Sequence, residues 1–467
     1  MGADREVDRD IDLLGPFRQF LTLRRDVLVL SVAMLAFSLA FQMTGRYVPE
    51  YLRVLGAGAG VVGLYGSLGN LIGALYPYPG GALSDRIGSR YALTLFGTVT
   101  TIGFVFWAAA PLLPGLVFPT ATLTLPVMGE IVLGGTVGPW IWVFAGLFLT
   151  QAWKSFGLGA TFAVVKQATD PGHLALGFAS TEVFRRVGFL LGPAIAAVVL
   201  AVVSSFVLGF QYVLLIAIAF GVLGTLAQHV LYDASEDTIG ATFRGIEQVR
   251  TDLRDLPGPL RPLLVADTLI RFANGIVYVF FVLVVVDRGV GVSGFGVVLG
   301  PAAYFGVLLV VEMVVALVSM PPVAKLAEYT GLKPVVAIGF GVYAIFPVLL
   351  IFAPADPLVY LVLFAFSGLR FAGLPAHKAL IVGPAERDTG GRVTGTYYLV
   401  RNTVVIPSAA IGGWLYGSDW AVQVGAFVLT AGPELAFTLA SFIGLVGVGY
   451  FVIFGEEFAP YARPTED

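Results

Sequence analysis

The chain has 467 residues, of which 57% are apolar and 12% charged, and its mean hydropathy is +0.88. A soluble protein of this length has no interior large enough to hide that much apolar surface, so the solvent is lipid. The net charge of −3 implies no nucleic-acid partner, and the absence of cysteine excludes disulfides and thiolate metal sites while leaving the compartment open.

Residues 1–26 form a polar N-terminal segment that ends near Arg24-Arg25, with Phe17, Arg18 and Phe20 suggesting a short interfacial helix. The apolar run that follows is too long for a signal-peptide core, and no small-residue cleavage site comes after it, so it is read as a retained first helix. A spanning helix needs about 20 apolar residues. Runs that long predict helices near 27–49, 61–83, 91–110, 139–165, 176–203 and 206–231, then 262–287, 295–320, 334–353, 357–382, 394–416 and 433–455. Strands of a barrel would instead alternate over roughly ten residues. The expected fold is an all-α polytopic membrane protein: an N-terminal six-helix bundle over 27–231, a linker over 232–260, a second bundle over 261–456 and a tail over 457–467. In the linker, Ile239, Phe243, Ile246, Val249 and Leu253 recur at the spacing of an amphipathic helix.

Lysine and arginine crowd the connections on one side of these spans, whereas the other side holds Arg53 and Arg288, with Arg46 nearby. The positive-inside rule places the crowded side, and both termini, in the cytoplasm. The expected location is a prokaryotic plasma membrane.

Between helices 2 and 3 lies Gly81-Ala-Leu-Ser-Asp85-Arg86-Ile-Gly88-Ser-Arg90. The spacing Gly-x3-Asp-Arg-x-Gly-x-Arg resembles the signature loop of the major facilitator superfamily of secondary transporters, although Ser89 stands where that family usually has a basic residue. The second half repeats the pattern: Glu328, Gly331 and Lys333 follow Asp85, Gly88 and Arg90 at a distance of 243 residues. Arg185 and Arg401 align at a distance of 216. The difference is a 27-residue insert, 111–137, between helices 3 and 4. Its alternating Thr120, Thr122 and Thr124 read as a β-hairpin, either a cap over the outer mouth or a structured loop without a transport role.

Helix 2 carries a small-residue stripe, Gly63, Gly66, Gly69 and Gly73, suited to close helix packing. The family resemblance implies packing against helix 11 across the boundary between the halves; packing within one half is the alternative. On helix 5, Gly188-x3-Gly192-Pro193 resembles the Gly-Pro signature of the drug/proton exporter branch, with Ala196-Ala197 where two glycines are usual. The pair also simply bends a helix.

The chemistry is expected at charges inside the spans, because each is costly there and must face a cavity or a partner. These are Lys154, Arg185, Arg186, Arg271, Arg370 and Arg401 against Glu182, Asp267 and Glu312. Glu182 with Arg186, and Asp267 with Arg271, sit four residues apart on one helix face. Glu312 and Asp267 are the proton-coupling candidates, since burial favours a protonated carboxyl and a nearby guanidinium favours the carboxylate. Arg271, Asn274, Arg370, Gln42 and Tyr304 are the candidate substrate cavity, with helix–helix contact the alternative for Asn274, Gln42 and Tyr304. The resemblance implies a cytoplasmic gate of Asp85, Arg86, Gly88, Arg90, Glu328, Gly331, Lys333, Glu182, Arg185, Arg186 and Arg401, with Gly188, Gly192 and Pro193 as packing positions.

No phosphate-binding loop is present, and His173, His229 and His377 match no metal spacing. The reading is a monomeric, non-enzymatic carrier of a small organic solute with no cofactor or metal, working by alternating access as a proton-coupled exporter. The alternatives are an organic-anion symporter or facilitator, and a non-transporting receptor on the same fold.

Overall fold

Lipid offers backbone groups no hydrogen-bond partner, so an uninterrupted Val/Leu/Phe-rich run satisfies itself as a helix. The computed structural model describes residues 25–76, 83, 86–125, 129–153, 174–232, 258, 260–294, 297–382, 390–424 and 427–457. The interfacial helix expected before residue 25, Asp85, Lys154 and the amphipathic linker lie outside the described residues, as do the side chains of Glu182 and Glu328.

Among the described residues the helices fall into twelve rods. The first half holds α1 (Arg25–Thr44, then Val48–Val54), α2 (Ala59–Leu75), α3 (Ser89–Ala109), α4 (Ile141–Ala152), α5 (Leu174–Val202) and α6 (Phe206–Leu231). The second holds α7 (Leu260–Val277, then Phe281–Asp287), α8 (Pro301–Thr330), α9 (Leu332–Phe352), α10 (Pro357–Gly368, then Leu374–Val382), α11 (Gly390–Val405, then Ser408–Gly417) and α12 (Pro433–Phe454). Among the described residues, eight helices are each long and apolar enough to cross a bilayer, and α1, bent by 43°, makes nine. In the most apolar stretch of α6 only 33% of residues are buried. Leu215, Leu223 and Val230 are among its exposed residues, an apolar surface suited to lipid.

Several expected boundaries shift for local reasons. Helix 8 begins at Pro301 rather than near 295, because the β-branched segment before it pairs as β3 (Val292–Gly294) with β4 (Val297–Leu299). It then continues to Thr330, through Pro321-Pro322. Helix 11 breaks at Ile406-Pro407, where proline has no N–H for the helical ladder. The 111–137 insert is an antiparallel hairpin of β1 (Leu116–Leu125) and β2 (Gly129–Val137). A third hairpin, β5 (Ala421–Val424) with β6 (Phe427–Thr430), precedes α12. The three hairpins follow α3, α7 and α11, so all lie at one end of the bundle, called here the hairpin end. The signature loops lie at the other.

The two halves repeat in backbone as well as in sequence. Gly88 (φ 84°) and Gly331 (φ 92°) hold matching left-handed positions immediately before α3 and α9, a conformation that disfavours any side chain. Next to the second of these, Glu457 accepts hydrogen bonds from the Leu332 and Lys333 amides (3.0 and 2.8 Å), satisfying the start of α9.

At the hairpin end the halves meet through small residues. A Cβ on Gly63 would overlap the Ala409 carbonyl oxygen and the Gly413 backbone, and one on Gly66 would press on Ala409 and Val279. Ser67 Oγ accepts from the Ala410 amide at 2.8 Å. The upper part of the helix 2 stripe therefore packs against α11 across the boundary, while Gly73 faces open space. Gly306 of α8 seats against Tyr47, Pro193 and Ala197, and Tyr47 meets Phe305 edge-on at 5.7 Å. Gly63→Val should cost about 1–3 kcal/mol, the scale of core overpacking. A lowered melting temperature in detergent would show it, with Gly73→Val as the unaffected control; equal effects at both positions would contradict this contact.

Candidate functional site

Two buried carboxylates organise the interior of the second half. Asp267 projects from α7 and is fully buried. Arg271, one turn further on, reaches its Oδ1 at 3.4 Å, so the expected i,i+4 pair forms. Tyr397 and Arg401, also one turn apart, bring the same face of α11 to the opposite oxygen: the Tyr397 hydroxyl donates at 3.1 Å and Arg401 Nη1 at 3.0 Å. His377 of α10 completes the shell, with Nε2 3.4 Å from Oδ2. One carboxylate thus ties together α7, α10 and α11.

Glu312 lies midway along α8. Helix α10 approaches it closely because Gly368 has no side chain; a Cβ there would overlap the Glu312 carbonyl. The 3-10 turn Leu369–Phe371 then turns Arg370 inward. Arg370 Nη2 and Ser367 Oγ donate to Glu312 Oε1 at 2.7 and 2.5 Å. From the other half, Arg46 Nη2 reaches Oε2 at 3.4 Å, just where α1 breaks between Thr44 and Val48. Its guanidinium also stacks over the Tyr278 ring at 4.1 Å. The two clusters touch through Tyr343, whose hydroxyl accepts from Arg271 at 3.3 Å and whose ring lies 5.0 Å from Arg370.

A cavity of about 240 Å³ opens between α2, α7 and α11, beside the Asp267 cluster. Arg271, Arg401, Asn70, Asn274, Asn402 and Tyr278 are among the residues lining it. A smaller pocket joins Arg271, Arg370, Tyr343 and His377.

The structure distributes the sequence candidates unevenly. Arg271 and Asn274 line the larger cavity, whereas Arg370 faces the smaller one and is held by Glu312. Gln42 packs against Gly192 of α5, and the Tyr304 hydroxyl donates to the Pro357 carbonyl at 2.6 Å, so both stand at helix–helix contacts. Gly188 likewise receives Ser38 of α1, which makes Gly188 and Gly192 an α1–α5 packing seam within the first half. Pro193 lies inside α5 and offers its carbonyl side to Gly306. Arg401, expected at the gate, stands instead in the cavity wall with Asp267. Arg86, Gly88, Arg90, Gly331 and Lys333 lie at the signature-loop end, and Arg185 and Arg186 are on α5. Arg185 offers its carbonyl to Ser38 Oγ at 2.7 Å and its guanidinium to the Phe189 ring at 5.5 Å.

Sequence reasoning passes over Arg46, Asn70, Ser367, His377 and Tyr397. The spacing of Tyr397 and Arg401 is a usable signal, since two polar side chains four apart inside a span share a face. His377 matches no metal pattern, and only the fold brings it to Asp267.

At the hairpin end, Arg53 of α1 pairs with Glu50 at 2.7 Å and with Asp287 at the end of α7; Tyr416 of α11 donates to Asp287 at 3.3 Å. This ion pair closes the boundary between the halves beyond the Gly63 contact. It is partly exposed, so it contributes only ~0.2–1 kcal/mol. Asp287→Asn should therefore raise thiol labelling of an introduced Asn274→Cys from the hairpin side only a few-fold, on the scale RT allows for such an energy. Since the chain has no cysteine of its own, that thiol reports alone; labelling unchanged would exclude Asp287 as part of the closure. In contrast, Arg370→Leu strands a buried carboxylate and should cost about 3–5 kcal/mol, and Arg370→Leu with Glu312→Leu should recover most of it. Thermal denaturation in detergent measures both, and a double variant no better than the single would contradict the pairing.

No protein-family model matches the chain. An uncharacterized MFS-type transporter of Methanocaldococcus jannaschii is 21% identical over 455 residues, spanning 97% of this chain and 96% of the relative. Among solved structures, a POT family transporter in complex with 5-aminolevulinic acid superposes with a TM-score of 0.67 at 12% identity, covering 94% of this chain and 97% of that one. The nucleoside transporter NupG superposes with a TM-score of 0.64 at 14% identity, covering 92% and 98%. The chain is an all-α polytopic membrane protein with the fold these transporters share.

Proposed function

We propose that this chain is a proton-coupled secondary transporter of a small organic solute, working by alternating access and, in its leading version, as an exporter. The observation that carries this reading is that Asp267 and Glu312 each face more than one basic partner, and that Glu312 is held from both halves, by Arg370 and by Arg46. Rocking one half against the other changes the Arg46 contact. Glu312 then sees more positive charge in one state than in the other, the asymmetry that a coupling carboxylate requires. Asp267 is the second candidate; its partners Arg271, Arg401 and Tyr397 all belong to the second half, and α11, which carries two of them, packs on α2 of the other half.

The hairpin-end contacts supply the other ingredient. The Arg53–Asp287 pair and the Gly63–Gly413 approach hold that end shut, while the cavity by Arg271 lies deeper, toward the signature-loop end. Under the orientation expected from lysine and arginine, the molecule is then closed to the outside, and the signature loops around Asp85 and Glu328 are the elements that latch the inner side in the opposite state. Export is supported by the likeness of the Gly188–Pro193 segment to that of exporters. The relative named as an MFS-type transporter supports the broader reading.

Proteoliposomes with an imposed pH gradient, tested against cationic, neutral and anionic solutes, examine the proposal directly. Glu312→Gln should abolish gradient-driven movement while leaving solute exchange. Gradient-driven transport at the normal rate in that variant would remove Glu312 from the coupling role.

A further inference from the structure

We infer that the cavity between α2, α7 and α11 is a seat for a small carboxylate-bearing solute gripped by Arg271 and Arg401, an inference that rests on the transporter reading and names its substrate class. Around Asp267 two guanidiniums share one carboxylate, and around Glu312 Arg370 and Arg46 share another. These two clusters therefore hold four arginines against two acids. Uncompensated positive charge in a low-dielectric interior is costly, and a bound anion relieves it.

The placement of the groups then decides what the cavity presents. Asp267 is 0% exposed, whereas the Arg271 and Arg401 side chains are 26% and 15% exposed, and both line the cavity. The carboxylate is hidden behind Arg271, Arg401, His377 and Tyr397, so a cationic solute meets guanidiniums before it meets a counter-charge. An anion meets them directly. A guanidinium carries five N–H donors. Arg271 commits Nε to Asp267 and Nη1 to Tyr343, and Arg401 commits Nη1 to Asp267 and Nε and Nη2 to Asn402. Both retain N–H groups that can donate to a carboxylate.

Size and reach narrow the class further. At about 240 Å³ the cavity is smaller than the roughly 300–1,000 Å³ pockets that take drug-sized ligands, so the occupant is of metabolite size. Asn274 and Asn402 offer amide groups for hydroxyl, amine or second carboxyl substituents. Asn70 offers the same from α2, in the other half. An anion held by Arg271 and Arg401 can thus touch both halves at once, as a solute that drives their closure must.

The test uses the full-length protein, purified in detergent and reconstituted, with lactate and succinate as probes, succinamide as the neutral isostere and putrescine as the cation. Lactate or succinate should raise the melting temperature in a saturable way, and succinamide and putrescine should not. Arg401→Gln should weaken that protection about tenfold or more, the scale of one charge-assisted hydrogen bond. Asn274→Asp, which places a negative charge in the wall without disturbing the partners of Asp267, should weaken it as much. Protection by succinamide or putrescine alone, protection unchanged in both variants, or no protection by either acid would overturn the inference. Protection by an acid without counterflow of any solute would keep the anion seat and remove the transporter reading. Counterflow of a neutral or cationic solute that the acids neither compete with nor protect would keep the transporter and overturn the seat.

Discussion

A charge in hydrocarbon must find a partner, and this requirement shapes the interior of the molecule. Asp267 and Glu312 could not remain as carboxylates in an apolar bundle on their own. Each is therefore the point where helices are drawn together: α7, α10 and α11 at Asp267, and α8, α10 and α1 at Glu312. The backbone yields to that demand. Helix α10 turns through a 3-10 segment where Arg370 must point inward, and α1 breaks beside Arg46. Irregular backbone in a membrane is tolerated where it is covered by protein, and here it serves the ion pairs.

Packing and charge divide the work along the boundary between the halves. Near the hairpin end the contacts are dry and close, built on Gly63, Gly66, Gly306 and Gly413, with an exposed ion pair beyond them. Toward the middle the boundary widens into a polar cavity walled by arginines and amides. Glycine contacts make backbones approach without interlocking long side chains, so one half can separate from the other without unthreading a core. Weak, partly exposed ion pairs fit the same need, because a gate that opens repeatedly cannot be held by many kilocalories. The buried clusters are different: their ion pairs from Arg271, Arg370, His377 and Arg401 are made within the second half, and only Arg46 reaches across.

That asymmetry assigns most of the charge chemistry among the described residues to the second half, although the halves repeat in topology and in the glycines before α3 and α9. The Arg185–Arg401 correspondence shows how a shared scaffold diverges. Arg401 reaches Asp267 through a face that also carries Tyr397, while Arg185 lies over Phe189 and lends its carbonyl to Ser38. The same position in two repeats thus meets different neighbours: Asp267 and the cavity in one, Phe189 and Ser38 in the other.

The amino-acid order alone determined the solvent, the helical class, the doubled architecture and the hairpin in the insert, because run length, hydropathy and glycine position act locally. It also made the Asp267–Arg271 pair legible, since residues four apart on a helix share one face. Tertiary structure decided what lies further apart in the chain. His377, Arg46 and Ser367 reach their carboxylates across separations of 110, 266 and 55 residues, and no local pattern encodes such contacts. Arg401 was legible as a buried charge but not as a cavity wall, and for Tyr304 and Gln42 cavity lining and helix–helix contact stood equally open until the fold placed both at contacts. A side chain's partner inside a bundle depends on the rotation and crossing of whole helices, and those are set by the summed packing of every face at once.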